Sequence, residues 1–105
     1  MVIPEHVLSE LVKQVVAVAN PLRIFLFGSA ARGEWRPGSD LDLLIVVADG
    51  VQCRQLARQL YREIHDIPIP YDLVVVSASL LDKYANTPGL IYQQALAEGE
   101  VLYAA

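Results

Sequence analysis

The stretch RIFLFGSAARGEWRPGSDLDLLIVV, residues 23–47, decides the fold because it places a turn-rich segment between two apolar runs. The first run, Arg23–Phe27, is too short for a helix and is stopped by a glycine, which predicts a buried strand. The second run, Asp40–Val47, alternates at its start and is then continuously apolar, which predicts a strand whose beginning faces a site. The segment between them has room for little more than one helical turn, which favours antiparallel pairing of the two strands.

Outside this stretch, the spacing of apolar residues and the positions of proline and glycine predict the remaining elements. They are a helix from Pro4 to about Asn20, a helix over Val51–His65, a strand over Tyr71–Ser77, a short helix over Ser79–Tyr84, a helix with Thr87 as its cap and Pro88 as its first residue that Gly99 stops, and an edge strand over Glu100–Tyr103. This order predicts an α/β or α+β protein in which helices flank a mixed β-sheet. With 105 residues, of which 54% are hydrophobic, we expect a single domain over residues 1–105.

The composition argues against several classes of protein. The formal net charge is -4 and the isoelectric point is about 4.9, which argues against a protein that wraps a long nucleic acid. No apolar run is long enough for a membrane helix, and Glu5 and Glu10 stand where a secretory signal would be basic and then apolar. Cys53 is the only cysteine, which excludes an intrachain disulfide. We therefore expect a cytoplasmic protein.

Three aspartates at the starts of predicted strands are the candidate metal ligands. Side chains alternate across a strand, so Asp40 and Asp42 project from one face with about 6.6 Å between their Cα atoms. Like charges placed together are costly unless a cation neutralises them, and hard oxygen ligands select Mg²⁺ or Mn²⁺. If Asp72 lies on a neighbouring strand and faces the same way, the three carboxylates can hold two ions about 3.5 to 4 Å apart, as an in-line phosphoryl displacement requires.

A glycine-serine pair at the end of the first strand is the candidate phosphate site. Gly28 lets the backbone approach a phosphate and frees amide donors at the turn that follows, and Ser29 adds a hydroxyl. Taken singly, a Gly-Ser pair is usually a turn and an Asp-x-Asp pair is usually a solvated loop or cap. Their conjunction with a further strand that opens on Asp72 is harder to explain by structural needs alone.

The two motifs together resemble a known signature. GSAARG at Gly28–Gly33, followed by SDLDL at Ser39–Leu43, is similar to the signature of the minimal nucleotidyltransferase (MNT) family, within the polymerase β-like superfamily. The resemblance covers most of the chain, because the helix, the two motif-bearing strands, the next helix, the third-carboxylate strand and a terminal helix occur in the family's order. It implies a polymerase β-like nucleotidyltransferase core, with a mixed sheet flanked by helices.

The resemblance also implies roles for the site residues. Gly28 and Ser29 would lie at the triphosphate of ATP, the substrate. Asp40 and Asp42 would bind Mg²⁺, with two ions expected, and Asp72 would complete the triad and help to deprotonate the acceptor.

Two further residues are less clearly assigned by the resemblance. Ser39, directly before the Asp-x-Asp pair, is counted among the nucleotide-binding residues. Many members carry an arginine between the Ser and Ala of the first motif, where this chain has Ala30. Arg32 is then either the remaining phosphate contact or an exposed charge.

What the resemblance implies about function is a transfer of AMP from ATP to a hydroxyl. Members of this small type resemble antitoxins that silence a helical HEPN-domain toxin by adenylylating a tyrosine, and this is the leading interpretation. An acidic surface suits a basic partner, and larger members of the superfamily add an acceptor-gripping domain for which we expect no residues here. Two alternatives stay open: transfer to a small hydroxylated molecule, with the acceptor site completed by a second subunit, for which a homo-oligomer is possible, and a catalytically silent module that binds its partner by contact alone.

Overall fold

The protein is described here by a computed structural model, which covers residues 3–105. Met1 and Val2, which we included in the expected domain, lie outside the described residues. The elements, in chain order, are α1 (Glu5–Ala19), β1 (Arg23–Phe27), β2 (Leu41–Val47), α2 (Cys53–Glu63), β3 (Tyr71–Ser77), α3 (Ala78–Tyr84), α4 (Ile91–Glu98) and β4 (Glu100–Ala104). Among residues 3–105, no helix is both long and apolar enough to cross a membrane.

The four strands form one mixed sheet in the order β3-β2-β1-β4. β1 pairs antiparallel with both β2 and β4, whereas β2 and β3 run parallel. The mixed sheet, the antiparallel β1–β2 pair and the edge position of β4 are therefore confirmed. The parallel pair is joined through α2, as a parallel crossover requires.

β2 lies inside the sheet, and alternate residues along it pack on opposite faces. Leu43 and Ile45 belong to the core that α1 and α2 cover on one face. Leu44 and Val46 belong to the second core, which residues of α3 and α4 cover on the other face. A strand buried on both sides has to be apolar at consecutive positions, which explains the run LLIVV and why the polar residue Asp42 near its start stands out.

The beginning of α4 differs from the prediction. Thr87 and Pro88 are not its cap and first residue, because the helix begins at Ile91 with Leu90 as the N-cap. Gly89 has φ +85°, so the chain turns through a left-handed residue between the proline and the helix. The predicted stop at Gly99 is confirmed, since the Gly99 N–H donates to the carbonyl of Ala95 at 2.8 Å and closes the last turn.

Candidate active site

The three aspartates lie at one end of the two parallel strands. Asp42 and Asp72 are direct partners in the β2–β3 register, so their side chains leave the same face of the sheet from neighbouring strands. Asp40 precedes the first residue of β2, Leu41, rather than opening the strand as predicted. Asp40 and Asp72 are exposed, and Asp42 is half-buried between them and the core.

Charge and burial act together on the central carboxyl. Partial burial raises the pKa of Asp42, the negative charges of Asp72 and Asp40 raise it further, and the guanidinium of Arg32 opposes the shift. Asp42 is thus close enough to both of the other aspartates to interact with them electrostatically. The folded chain therefore concentrates negative charge at a point that a divalent cation would stabilise.

The turn after β1 approaches this carboxylate closely. Gly28 has φ +73°, and a Cβ placed on it would overlap the Oδ2 atom of Asp42. Phe27, the residue before it, pairs with Asp42 across the β1–β2 ladder. The structure thus brings the glycine of the first motif against the second aspartate of the second motif.

Residues 28–33 form successive turns rather than the single helical turn predicted from sequence. The Arg32 N–H donates to the Gly28 carbonyl at 3.3 Å, and the Glu34 N–H donates to the Ser29 carbonyl at 2.8 Å. In the part of the chain that the structure describes, the N–H groups of Ser29, Ala30 and Ala31 donate to no acceptor, and the Ser29 hydroxyl makes no hydrogen bond. These groups are available to an anion beside the aspartates.

Arg32 is already engaged in ion pairs. Its guanidinium contacts Glu34 at 3.2 Å and Glu98, in the last turn of α4, at 3.5 Å. The hydrogen bond and charge of Glu34, followed by those of Glu98, raise the pKa of Arg32. The arginine is exposed and lies near enough to Asp42 to act on its pKa.

Ser39 organises the loop that leads to Asp40. Its hydroxyl accepts a hydrogen bond from the Arg36 N–H at 3.3 Å, and its carbonyl accepts one from the indole N–H of Trp35 at 3.1 Å. Trp35 is buried in the core shared with α1 and α2. This loop is therefore anchored by the tryptophan, and Ser39 has a structural role whether or not it also contacts a nucleotide.

Sequence analysis missed Tyr61, which belongs to the surroundings of the site. Its hydroxyl lies 3.1 Å from Oδ1 of Asp72 and 2.8 Å from the Leu73 nitrogen. In the sequence, Tyr61 only follows the helical spacing of the apolar residues Leu56, Leu60 and Ile64. Nothing local marks it, because the contact joins a helix to a strand eleven residues later.

The donor set of the site suits a hard divalent cation. Three carboxylates supply oxygen ligands of the kind that Mg²⁺ takes, and their mutual repulsion favours a bound cation. Within residues 3–105, however, no three His, Cys, Asp or Glu side chains are arranged so that they could hold an ion as they stand. The chemistry of the residues thus fits Mg²⁺, although their side chains do not form a ready-made cage.

Two grooves on the surface have linings that include none of the three aspartates. One, of about 520 Å³, follows α4 from Gly89 to Glu98. The other, of about 750 Å³, lies between α1 and β4. Of the aspartates, Asp40 and Asp72 are exposed and Asp42 is half-buried.

A family model described as polymerase beta, nucleotidyltransferase matches residues 9–105. No curated protein sequence matches the chain.

Solved structures with the same fold were also found. A candidate nucleotidyltransferase from Sulfolobus solfataricus is 20% identical, with 94% of this chain and 78% of that chain covered and a TM-score of 0.63. A toxin–antitoxin complex with AMP-PNP is 23% identical, with 98% and 75% covered and a TM-score of 0.56. A mutant MntA–HpeT toxin–antitoxin complex, carrying two aspartate-to-glutamate substitutions, is 21% identical with the same coverage and a TM-score of 0.55. At these identities the similarity shows the fold, and it confirms the predicted fold class.

Proposed function

Because the chain belongs to the polymerase β nucleotidyltransferase family, we propose that it transfers AMP from ATP to a hydroxyl group in the cytoplasm. The observation that carries the proposal is the direct pairing of Asp42 with Asp72 beside the turn at Gly28. The candidate cation ligands and the candidate hydrogen-bond donors for a phosphate thus lie at one end of the sheet. We further propose that residues 1–105 act as one nucleotidyltransferase domain.

In this reaction the acceptor oxygen attacks the α-phosphorus of ATP, the bond between the α-phosphorus and the bridging oxygen breaks, and pyrophosphate leaves. Asp72, which is exposed at the edge of the sheet, takes the proton of the acceptor hydroxyl. The free N–H groups from Ser29 to Ala31 and the Ser29 hydroxyl bind the phosphates. Arg32 reaches a phosphate only if it exchanges its ion pairs with Glu34 and Glu98.

Asp40, Asp42 and Asp72 are the residues that would hold Mg²⁺. Bound there, the metal would neutralise charge on the attacking and leaving oxygens. A cation there would relieve the strain on Asp42, whose ionised form is disfavoured by partial burial and by the two neighbouring carboxylates.

The acceptor that we propose is a tyrosine of a HEPN-type toxin, with this chain as the antitoxin. Two structures that share the fold are toxin–antitoxin complexes, and one of them holds AMP-PNP, an ATP analogue. The net charge of -4 suits a basic partner, and Asp40 and Asp72 are exposed.

The test is to incubate the chain with labelled ATP, Mg²⁺ and any HEPN-type protein encoded beside it, and to locate the label by mass spectrometry. We expect the label on a tyrosine of that protein. Asp40→Asn and Asp42→Asn should each lower the rate by about 100-fold or more, because each removes a ligand from the charge-stabilising site. Asp49→Asn, in the turn that follows the far end of β2, is the matched control and should retain the wild-type rate.

The other outcomes identify the competing functions. Label that appears only on a member of a panel of small hydroxylated compounds would replace the protein acceptor with a small molecule. Undiminished transfer in both site variants would remove the assignment of the aspartates. No transfer to any acceptor, together with toxin neutralisation by the wild type and both variants alike, would identify a silent binding module.

A further inference from the structure

Tyr61, on α2, reaches the third aspartate around the edge of the sheet. β3 is an edge strand, and its Leu73 N–H points away from β2 to donate a hydrogen bond to the Tyr61 hydroxyl at 2.8 Å. The same hydroxyl lies 3.1 Å from Oδ1 of Asp72. The phenol oxygen thus accepts a hydrogen bond from an edge-strand N–H that has no partner in the sheet, and it also contacts the neighbouring carboxylate.

The direction of these two bonds is not ambiguous. A backbone N–H can only donate, so the hydroxyl oxygen of Tyr61 is the acceptor for Leu73. The single phenol proton is then directed to Oδ1 of Asp72, because an ionised carboxylate can only accept hydrogen bonds. Within residues 3–105, the other oxygen of Asp72 has no hydrogen-bond partner.

The tyrosine is itself held in place. Its ring stacks on that of Tyr71, with 6.0 Å between the centroids and 9° between the planes. A phenol hydroxyl is protonated at neutral pH and can therefore donate to the carboxylate. A donor held by a stacked ring and by the Leu73 N–H restricts the rotamer of the carboxylate that it contacts.

We infer that Tyr61 is a positioning residue for the nucleotidyl transfer. It holds Oδ1 of Asp72, so that the second oxygen stays available to a divalent cation or to the proton of the acceptor. This inference rests on the proposed function, because it assigns a task to Asp72. Hydrogen-bonded partners of ligating carboxylates orient those ligands, and their loss typically lowers metal affinity or activity by about 10- to 100-fold.

The test is Tyr61→Phe, which keeps the ring and removes only the hydroxyl. Mn²⁺ binding in the presence of a non-hydrolysable ATP analogue, followed by electron paramagnetic resonance, should weaken by about 10-fold or more. The transfer rate should recover at high Mg²⁺ concentration. Tyr103→Phe, on the opposite edge strand, is the matched control and should leave Mn²⁺ affinity unchanged.

A double-mutant cycle with Asp72→Asn separates positioning from a general loss of stability. If Tyr61 acts through Asp72, Tyr61→Phe has no further effect on Mn²⁺ affinity once Asp72 is replaced. Thermal unfolding of each variant shows whether the fold is retained. A lower melting temperature with unchanged Mn²⁺ affinity would mean that Tyr61 only closes the strand edge.

The inference and the proposed function fail in different ways. Wild-type Mn²⁺ affinity in Tyr61→Phe, while Asp72→Asn has lost it, overturns the positioning role and leaves the enzyme in place. A wild-type protein that binds no Mn²⁺ with nucleotide and transfers nothing overturns both.

Discussion

At the scale of single residues, Gly28 combines a left-handed backbone conformation with a close approach to a carboxylate of the candidate site. Gly28 and Gly33 have nearly equal left-handed φ angles, +73° and +74°, but only a Cβ at Gly28 would meet the carboxylate of Asp42. Alanine at either position should cost about 1–2 kcal/mol of stability because of the φ angle. Gly28→Ala should in addition displace Asp42 and lower the transfer rate by at least about 10-fold.

The comparison of these two glycine variants isolates the close contact. Both are measured for urea unfolding and for AMP transfer under the same conditions. Equal activity in the two variants would show that the contact between Gly28 and Asp42 has no bearing on the reaction.

At the scale of elements, α3 follows β3 without an intervening loop and depends on its N-terminal caps. The Ser77 hydroxyl accepts a hydrogen bond from the Leu80 N–H at 3.4 Å, and Oδ1 of Asp49 accepts one from the Ser79 N–H at 3.0 Å. Ser77→Ala should lower the free energy of unfolding by about 0.5–1 kcal/mol, the weaker end of capping effects because the bond is long. It should leave the transfer rate unchanged, since Asp72 lies at the other end of β3.

Urea unfolding measures this effect as a lower midpoint with an unchanged slope. Ser9→Ala, on an exposed position of α1, is the control and should change stability by less than about 0.5 kcal/mol. If the two serine variants behaved alike, Ser77 would have no measurable capping role.

Elements with clear local limits were the ones that sequence predicted well. β1 and β3 have the predicted bounds because each is a short apolar run between residues that turn the chain. The predicted start of α4 was wrong. A proline alone suits a first helical turn, but Pro88 is followed by the left-handed Gly89, and the two residues form a turn. Pattern reading treats the proline and the glycine as separate signals, whereas the conformation of this segment depends on both together.

The site follows the same division between local and long-range information. Asp40, Asp42 and Gly28 stand out in the sequence because the residues around them form recognisable motifs. That Asp72 is the direct partner of Asp42 depends on strand register, and that Tyr61 contacts Asp72 depends on how α2 packs beside β3. Neither fact has a local signal, since both arise from tertiary packing.

At the scale of the whole molecule, the aspartates oppose the folding of a protein that already carries a net charge of -4. The buried faces of the sheet supply the stability against which this local repulsion acts. Because Asp42 has a raised pKa in the folded state, the folded chain holds its proton more tightly than the unfolded chain does. The associated stability is present below the unfolded pKa of about 3.9 and is lost as pH rises through the folded pKa.

Removing this charge should therefore stabilise the metal-free protein. Asp42→Asn is expected to raise the melting temperature at pH 7 by a few degrees, corresponding to less than about 1 kcal/mol, and the gain should shrink as pH falls toward 4. Asp49→Asn is the control of opposite sign, because the hydrogen bond from Ser79 lowers the pKa of Asp49 and favours its charged form.

ATP with Mg²⁺ should stabilise the wild type by about 2.7 kcal/mol at 100 times the dissociation constant, and it should stabilise the Asp42→Asn variant much less. Thermal unfolding from pH 7 to pH 4, with and without Mg²⁺ and ATP, measures all three effects. A metal-free Asp42→Asn variant that melts below the wild type at pH 7 would mean that the Asp42 carboxylate is stabilised by the protein alone, and the electrostatic reason for a cation at this site would be gone.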